Sequence, residues 1–203
     1  MELILVRHAR PFAVDDDPDG ADPELTPEGH QQAQVLAAAF ASGRLGPVTA
    51  LVSSAMRRAV QTAEPVSAAL GLALATDERI VELDRGWTRY GIGFDEYPSR
   101  AASWDALNSG SWGGQVYDPA AFVARLTEGI EDHIARHTEG TLAVVCHGGV
   151  ISAYLAAVVG SPRPLFFTPS YTSLTRILAL PDGHRELLTA GEAPHVTRMG
   201  PDA

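Results

Sequence analysis

Two short apolar runs, Glu2–Arg7 (ELILVR) and Thr141–Cys146 (TLAVVC), each lead straight into a histidine, His8 and His147. Compact apolar runs of this length predict strands buried on both faces, the habit of a parallel sheet covered by helices. Parallel strands need long crossovers, and the chain between these two alternates helix-like with strand-like segments. Thr26-Pro27-Glu28 has the chemistry of a helix start: a capping hydroxyl, a proline suited to the first turn and a carboxylate facing the dipole. That helix is expected to run to about Ser42 and to stop near Gly43. A strand over 48–53, a helix over 55–70 with a kink or break at Pro65, and a strand over 72–76 follow. Residues 118–137 form an amphipathic helix with Phe122, Leu126, Ile130 and then His133 or Ile134 on one stripe. A helix is expected over 148–159, and Pro181-Asp182-Gly183-His184 turns a hairpin between 174–180 and 185–188. The pattern predicts an α/β fold, a doubly wound and mostly parallel sheet with helices on both faces. Ligand sites in such sheets lie at the carboxyl ends of strands, where His8 and His147 both fall.

Two stretches lack a period. Residues 11–24 are acidic, with Asp15, Asp16, Asp17, Asp19 and Asp22 among prolines and glycines, and read as a solvated loop. Residues 82–114 are rich in Gly, Trp and Tyr; a short helix over about 100–107 is expected there, the rest forming a cap. The chain of 203 residues is sized for one large domain, with the cap inserted at about 86–117.

Composition narrows the chemistry. The formal charge of −10 disfavours nucleic acid and anionic membrane as partners. No apolar stretch approaches the ~18 residues that cross a bilayer, and the start does not read as a leader, so a soluble cytoplasmic protein is expected. All fifteen basic residues are arginine. The absence of lysine excludes a Walker-type phosphate loop and Schiff-base chemistry, and leaves anion binding to arginine, whose planar fork matches phosphate oxygens. Cys146 is the single cysteine, so no intramolecular disulfide can form. A cysteine phosphatase would need an arginine six positions after it, where Ser152 stands. No Gly-x-Ser-x-Gly elbow is present. His133 and His137 are spaced as a metal pair but have no evident third ligand, and no metal or other cofactor is expected. His30 and His184 read as solvated.

Arg7-His8 alone is a common dipeptide. It is followed, in order, by Leu25-Thr26-Pro27-Glu28-Gly29, by Ser53-Ser54-Ala55-Met56-Arg57-Arg58-Ala59-Val60-Gln61-Thr62-Ala63, by Glu82 with Gly86-Trp87, and by Val144-Val145-Cys146-His147-Gly148-Gly149. This ordered set, over about residues 3–180, resembles the histidine phosphatase superfamily, also called the phosphoglycerate mutase-like family. The resemblance implies that His8 is a nucleophile that briefly carries a phosphoryl group. It implies that Arg7, Arg58 and His147 hold the non-bridging oxygens, and that Glu82 is the general acid. Arg58 is preferred to Arg57 because it precedes Ala59 in the family's Arg-Ala-x-Gln-Thr pattern. His8 is expected to be neutral and His147 largely cationic. After Glu82 the chain reads Leu83-Asp84-Arg85-Gly86-Trp87 and lacks the usual Gly-x-Trp-Glu-Gly continuation, so Asp84 is an alternative acid.

Most members carry Gly and then an acidic or amide residue after Arg-His, whereas Ala9 and Arg10 follow here. Arg10, together with Arg85 or Arg89, is expected to favour substrates with a second anionic group. The expectation is a metal-independent phosphatase acting on a small phosphorylated substrate. The alternatives are a phosphoglycerate mutase, a protein phosphohistidine phosphatase and a non-catalytic phosphate-binding protein. Neither the substrate nor the oligomeric state is set by these residues.

Overall fold

The computed structural model describes residues 1–195. In chain order its elements are β1 (Glu2–Arg7), α1 (Pro27–Ala41), β2 (Val48–Ser54), α2 (Arg57–Leu70), β3 (Leu74–Asp77), α3 (Arg100–Asn108), β4 (Ser111–Trp112), β5 (Gln115–Val116), α4 (Pro119–Arg136), β6 (Thr141–Cys146), α5 (Gly148–Val159), β7 (Leu174–Ala179) and β8 (Arg185–Glu192). Two short 3-10 turns, Glu78–Ile80 and Phe94–Glu96, precede α3.

The main sheet has six strands in the order β3-β2-β6-β1-β7-β8. β1, β2, β3 and β6 are mutually parallel, and β7 and β8 close one side as an antiparallel hairpin. Alternate residues of β1 face opposite layers, as the strand period of two requires. Leu3 and Leu5 enter a cluster with Leu126 and Ile130 of α4 and Ile151 and Tyr154 of α5. Ile4 and Val6 enter a second cluster with Leu36 and Phe40 of α1 and Ala63 and Val66 of α2. The fold is therefore the expected α/β sandwich, with helices on both faces of a mostly parallel sheet.

Local chemistry accounts for the boundaries. Thr26 Oγ accepts the Gly29 N–H at 3.0 Å and caps α1, while the Asp118 carboxylate caps α4 through Ala120 and Ala121. α2 runs through Pro65 from Arg57 to Leu70, so the helix does not break there. Burial of Ala59, Ala63 and Val66 against the sheet holds the helix together across the missing hydrogen bond.

The periodless stretches carry the differences. Residues 11–24 are not simply a solvated loop: Val14 and Tyr90 exchange backbone hydrogen bonds at 2.9 and 2.8 Å, and the Ala21 N–H donates to the Trp87 carbonyl at 2.6 Å. Ala21 and Leu25 are buried. Acidic tips face water while the backbone is stitched to the cap segment. Within the cap, the sequence shows α3 but not the small hairpin of β4 and β5, whose strands are too short to display a period.

Candidate active site

The register of the sheet brings the two histidines together. Arg7 pairs with Cys146 across β1 and β6, and the His8 N–H donates to the Cys146 carbonyl at 2.9 Å. Each chain then leaves its strand into the same crevice, where the rings of His8 and His147 lie 5.1 Å apart between centroids. His8 is 2% exposed and His147 is fully buried. A cavity of about 520 Å³ opens beside His8, lined at this end by Arg7, His8, Arg58, Glu82, Asp84 and Tyr171, with His147 buried behind the His8 ring rather than lining it.

His8 Nδ1 is 2.7 Å from the Ala9 carbonyl. A carbonyl only accepts, so Nδ1 carries the proton and Nε2 keeps its lone pair. Burial, then the charges of Arg58 and Arg7, hold the His8 pKa well below the ordinary histidine range, against the pull of the Ala9 carbonyl. His8 is thus neutral, with one nucleophilic nitrogen. The Ala9 N–H in turn donates to Thr62 Oγ at 2.9 Å, and that hydroxyl donates to the Arg58 carbonyl at 2.7 Å. Thr62 therefore locks the loop carrying His8 to the turn carrying Arg58. Gln61 accepts the Leu25 N–H at 2.8 Å. The Gln-Thr of the motif is scaffolding for the site.

Arg58, in the first turn of α2, is fully buried. Its Nη2 donates to both Asp84 carboxylate oxygens, at 2.8 and 3.0 Å, and its guanidinium lies 4.6 Å from the Tyr90 ring centre. Burial works against the charge, and Asp84 together with Tyr90 and Glu82 more than offsets it, so Arg58 is held cationic above its ordinary value. Asp84, the alternative acid, is the counterion of Arg58. Arg57 points outwards to Glu24 and is exposed. Arg7 donates from Nη1 to the Pro169 carbonyl at 2.6 Å, and its guanidinium lies 4.1 Å from the Tyr171 ring centre. Tyr171 also flanks His8 at 5.7 Å. It is placed by Thr172, a non-glycine residue at φ +57° whose N–H bonds the Arg7 carbonyl at 3.0 Å.

Nε of Arg7, Nε and Nη1 of Arg58, and Nδ1 of His147 are buried without a hydrogen-bond partner among the described residues. Buried donors rarely go unpaired, and a set that includes two guanidinium groups around one crevice is suited to an anion with several acceptor oxygens.

Glu82 sits at the mouth of α5. Its Oε2 accepts the Gly149 N–H at 2.7 Å and its Oε1 the Leu83 N–H at 3.0 Å. A Cβ on residue 149 would come within 2.3 Å of Glu82 Oε1 and would displace that carboxylate, so glycine here lets the helix end hold it close. Burial, then the Asp84 charge, raise the Glu82 pKa, outweighing the two N–H donors and Arg58. A carboxyl raised in this way can hold a proton near neutral pH.

The expected cation at His147 is not found. Burial first, then the charges of Arg58, His8 and Arg7, hold its pKa well below the ordinary range, so the ring is neutral. Ser54 Oγ, 2.7 Å from Nε2, supplies a neutral partner where a carboxylate would be needed to keep the charge. Arg10 and Arg85 are not brought to the cavity. Both are exposed, and they pair with Glu28 and Glu78, because an acidic surface offers each a nearer carboxylate. Arg89 does line the cavity, 3.4 Å from Glu96. Cys146 is buried in β6, where burial raises its thiol pKa and keeps it protonated. His133 Nε2 lies 2.9 Å from Asp77, and His137 Nδ1 2.7 Å from the His133 carbonyl, so each ring has a protein partner. Ser54, Tyr90 and Tyr171 went unmarked in the sequence; Ser54 lies within the quoted Ser-Ser-Ala-Met-Arg-Arg run, whereas the tyrosines have no motif around them.

The family model for the histidine phosphatase superfamily (branch 1) matches residues 3–191. The chain belongs to this superfamily. Phosphoserine phosphatase 1 of Hydrogenobacter thermophilus is 28% identical over 178 residues, covering 83% of this chain and 81% of that one. Among solved structures, a mycobacterial glucosyl-3-phosphoglycerate phosphatase complexed with VO3 superposes with a TM-score of 0.75 at 21% identity, covering 95% of this chain and 99% of that one. A phosphoserine phosphatase mutant from Entamoeba histolytica, in complex with phosphoserine, superposes with a TM-score of 0.70 at 22% identity, covering 96% and 98%. The two structural likenesses bear on the fold. Among the described residues no helix is long and apolar enough to cross a membrane.

Proposed function

We propose that this superfamily member is a phosphatase, a phosphoric monoester hydrolase that transfers the phosphoryl group of a small substrate to His8 and then to water. The observation that carries the reading is the neutral His8, its Nε2 free, set beside buried and unpaired donors of Arg7, Arg58 and His147. In the first step Nε2 attacks phosphorus, the P–N bond forms and the P–O bond to the alcohol breaks. Glu82 donates its proton to the departing oxygen. In the second step the Glu82 carboxylate takes a proton from water, whose oxygen attacks phosphorus as the P–N bond breaks and phosphate leaves. Arg7 and Arg58 stabilise the equatorial oxygens throughout. His147 contributes a neutral Nδ1–H if Ser54 donates to its Nε2.

The cap over 86–117 is proposed as the insertion that closes the site and selects the alcohol. A phosphatase is favoured over a mutase because Ala9, Arg10 and Pro11 offer no further hydroxyl or amide beside His8 to hold a substrate for return transfer. Steady release of phosphate from a chromogenic aryl phosphate, with no interconversion of phosphoglycerates, is the expected result. Binding of phosphate without turnover points to a non-catalytic protein, and interconversion points to a mutase.

A further inference from the structure

The cavity has a second half that the phosphate chemistry leaves unused. Away from His8 its wall includes Ile92, Phe94, Trp104, Leu107, Trp112 and Phe167. This wall is built and braced. Trp112 stacks on Tyr97 at 4.7 Å with 18° between the ring planes, and meets the edge of Phe94 at 5.3 Å. Phe94 also packs on Trp104 at 5.1 Å. Tyr97 Oη accepts the Gly113 N–H at 2.8 Å and ties the ring pair to the β4–β5 turn. On the opposite side Ser152 Oγ accepts the N–H groups of Phe166 and Phe167, at 3.0 and 3.1 Å. The Asn108 side chain and the Leu165 backbone exchange two hydrogen bonds, at 2.8 and 3.0 Å. Preformed aromatic walls of this kind take flat or branched apolar groups.

The charges point the same way. Arg89 is the one guanidinium that lines this half among the described residues, and Glu96 lies 3.4 Å from it. Glu82 and Asp84, which line the His8 end, add no cation for a second anion: the one is raised towards its protonated form and the other is paired with Arg58. A carboxylate pressed against tryptophan and phenylalanine would lose its water, and Arg89 could hold it only by giving up Glu96.

We infer that the leaving-group half of the cavity takes an uncharged apolar group, so that the substrates are phosphate monoesters of aromatic or branched alkyl alcohols and not of acidic or zwitterionic ones. The inference rests on the phosphatase reading for the direction in which the ester lies, His8 end to cap end.

The test compares kcat/KM on benzyl phosphate, ethyl phosphate, phosphoserine and 3-phosphoglycerate, all esters of primary alcohols. Benzyl phosphate should exceed ethyl phosphate by about 10–100-fold, the discrimination typical of an apolar pocket, and should exceed both charged esters. Trp104→Ala and Phe94→Ala should each shrink the benzyl-to-ethyl ratio several-fold; Trp104→Leu serves if the smaller residue destabilises the cap. A benzyl-to-ethyl ratio near one overturns the inference. So does a preference for phosphoserine or 3-phosphoglycerate that Arg89→Gln selectively removes. If none of the esters turns over, the phosphatase reading fails, and calorimetry with benzylphosphonate and ethylphosphonate decides the pocket separately. Benzylphosphonate binding at least tenfold tighter supports the apolar site, and equal binding overturns it.

Discussion

The strand-end half of the cavity and its cap half solve different problems with different materials. At the strand ends three of the proposed reactive side chains are held by backbone, His8 by the Ala9 carbonyl, Glu82 by two N–H groups and Arg7 by the Pro169 carbonyl, while Arg58 is held by Asp84 and His147 by Ser54. In the cap, rings hold rings, and hydrogen bonds such as Gly113 N–H to Tyr97 Oη and Tyr117 Oη to the Leu107 carbonyl tie them to the chain. Backbone contacts follow from strand register and are insensitive to neighbouring side chains. Ring contacts depend on each partner and can be exchanged for others of similar volume. On the proposed reading, the strand ends carry the chemistry and the cap chooses the alcohol.

The sharpest way to break this division is at the nucleophile. His8→Ala should lower turnover of every phosphate ester by at least about 10⁴-fold, as expected when one member of a concerted set is removed. Steady-state assays on several esters check it; a loss confined to one ester would mean that His8 serves specificity. Chelator treatment of the wild-type protein should leave turnover intact in the same assays.

The next largest effect belongs to Glu82. Glu82→Gln keeps the side chain's size and one of its two N–H contacts, since the amide nitrogen cannot accept, and removes the acidic proton; it should cost about 10²–10⁴-fold on alkyl phosphates. The loss should be smaller on an aryl phosphate with an acidic leaving group, which needs little protonation. Because the acid must carry its proton, and burial with Asp84 raises its pKa, wild-type activity on alkyl esters should fall as pH rises through that elevated value. Glu82→Gln should flatten this alkaline fall. Protonation of His8 should add no loss on the acid side until well below the ordinary histidine pKa of about 6.5, because burial and two arginines keep it neutral. An alkaline limb unchanged in Glu82→Gln would hand the acid's role to another group.

Asp84→Asn sharpens the comparison from the side of stability. It removes the carboxylate bonded to the buried Arg58 and leaves Asp22, 3.6 Å from Nη1, as the remaining acidic neighbour; breaking such a buried pair costs about 3–5 kcal/mol. Thermal unfolding should show a large drop in Tm, and inorganic phosphate should restore more stability to the variant than to the wild type, since the anion neutralises Arg58. Equal phosphate shifts in both proteins would contradict the placing of the anion against Arg58. The smallest effect is expected in the cap: Tyr97→Phe removes one hydrogen bond to Gly113 and should cost about 0.5–1.5 kcal/mol with little change in turnover.

The same division explains what the sequence disclosed. β1 and β6 announce themselves because strands buried on both faces are apolar throughout, and His8 and His147 stand out because they follow those strands directly. Arg58 is distinguished from Arg57 by the motif around it, and Thr62 by the same motif, although its role as a bracket between Ala9 and Arg58 needs coordinates. The neutral His147 was not legible, since its partner Ser54 is distant in sequence and burial has no local signature. Arg10 looked like a site residue by adjacency to His8, but Glu28, in the first turn of α1, turns it away. Tyr90, Trp112 and Phe94 meet only through the folded cap, where short elements leave no period to read.

The central claim, that His8 carries the phosphoryl group, is tested most directly by trapping the intermediate. The enzyme is mixed with a ³²P-labelled monoester, quenched in base within the first turnover, digested and mapped. The account predicts a label on the peptide containing His8 that survives base, is lost in acid, and is absent from His8→Ala. A label that survives acid, or one that maps elsewhere while His8→Ala retains full activity, would contradict it.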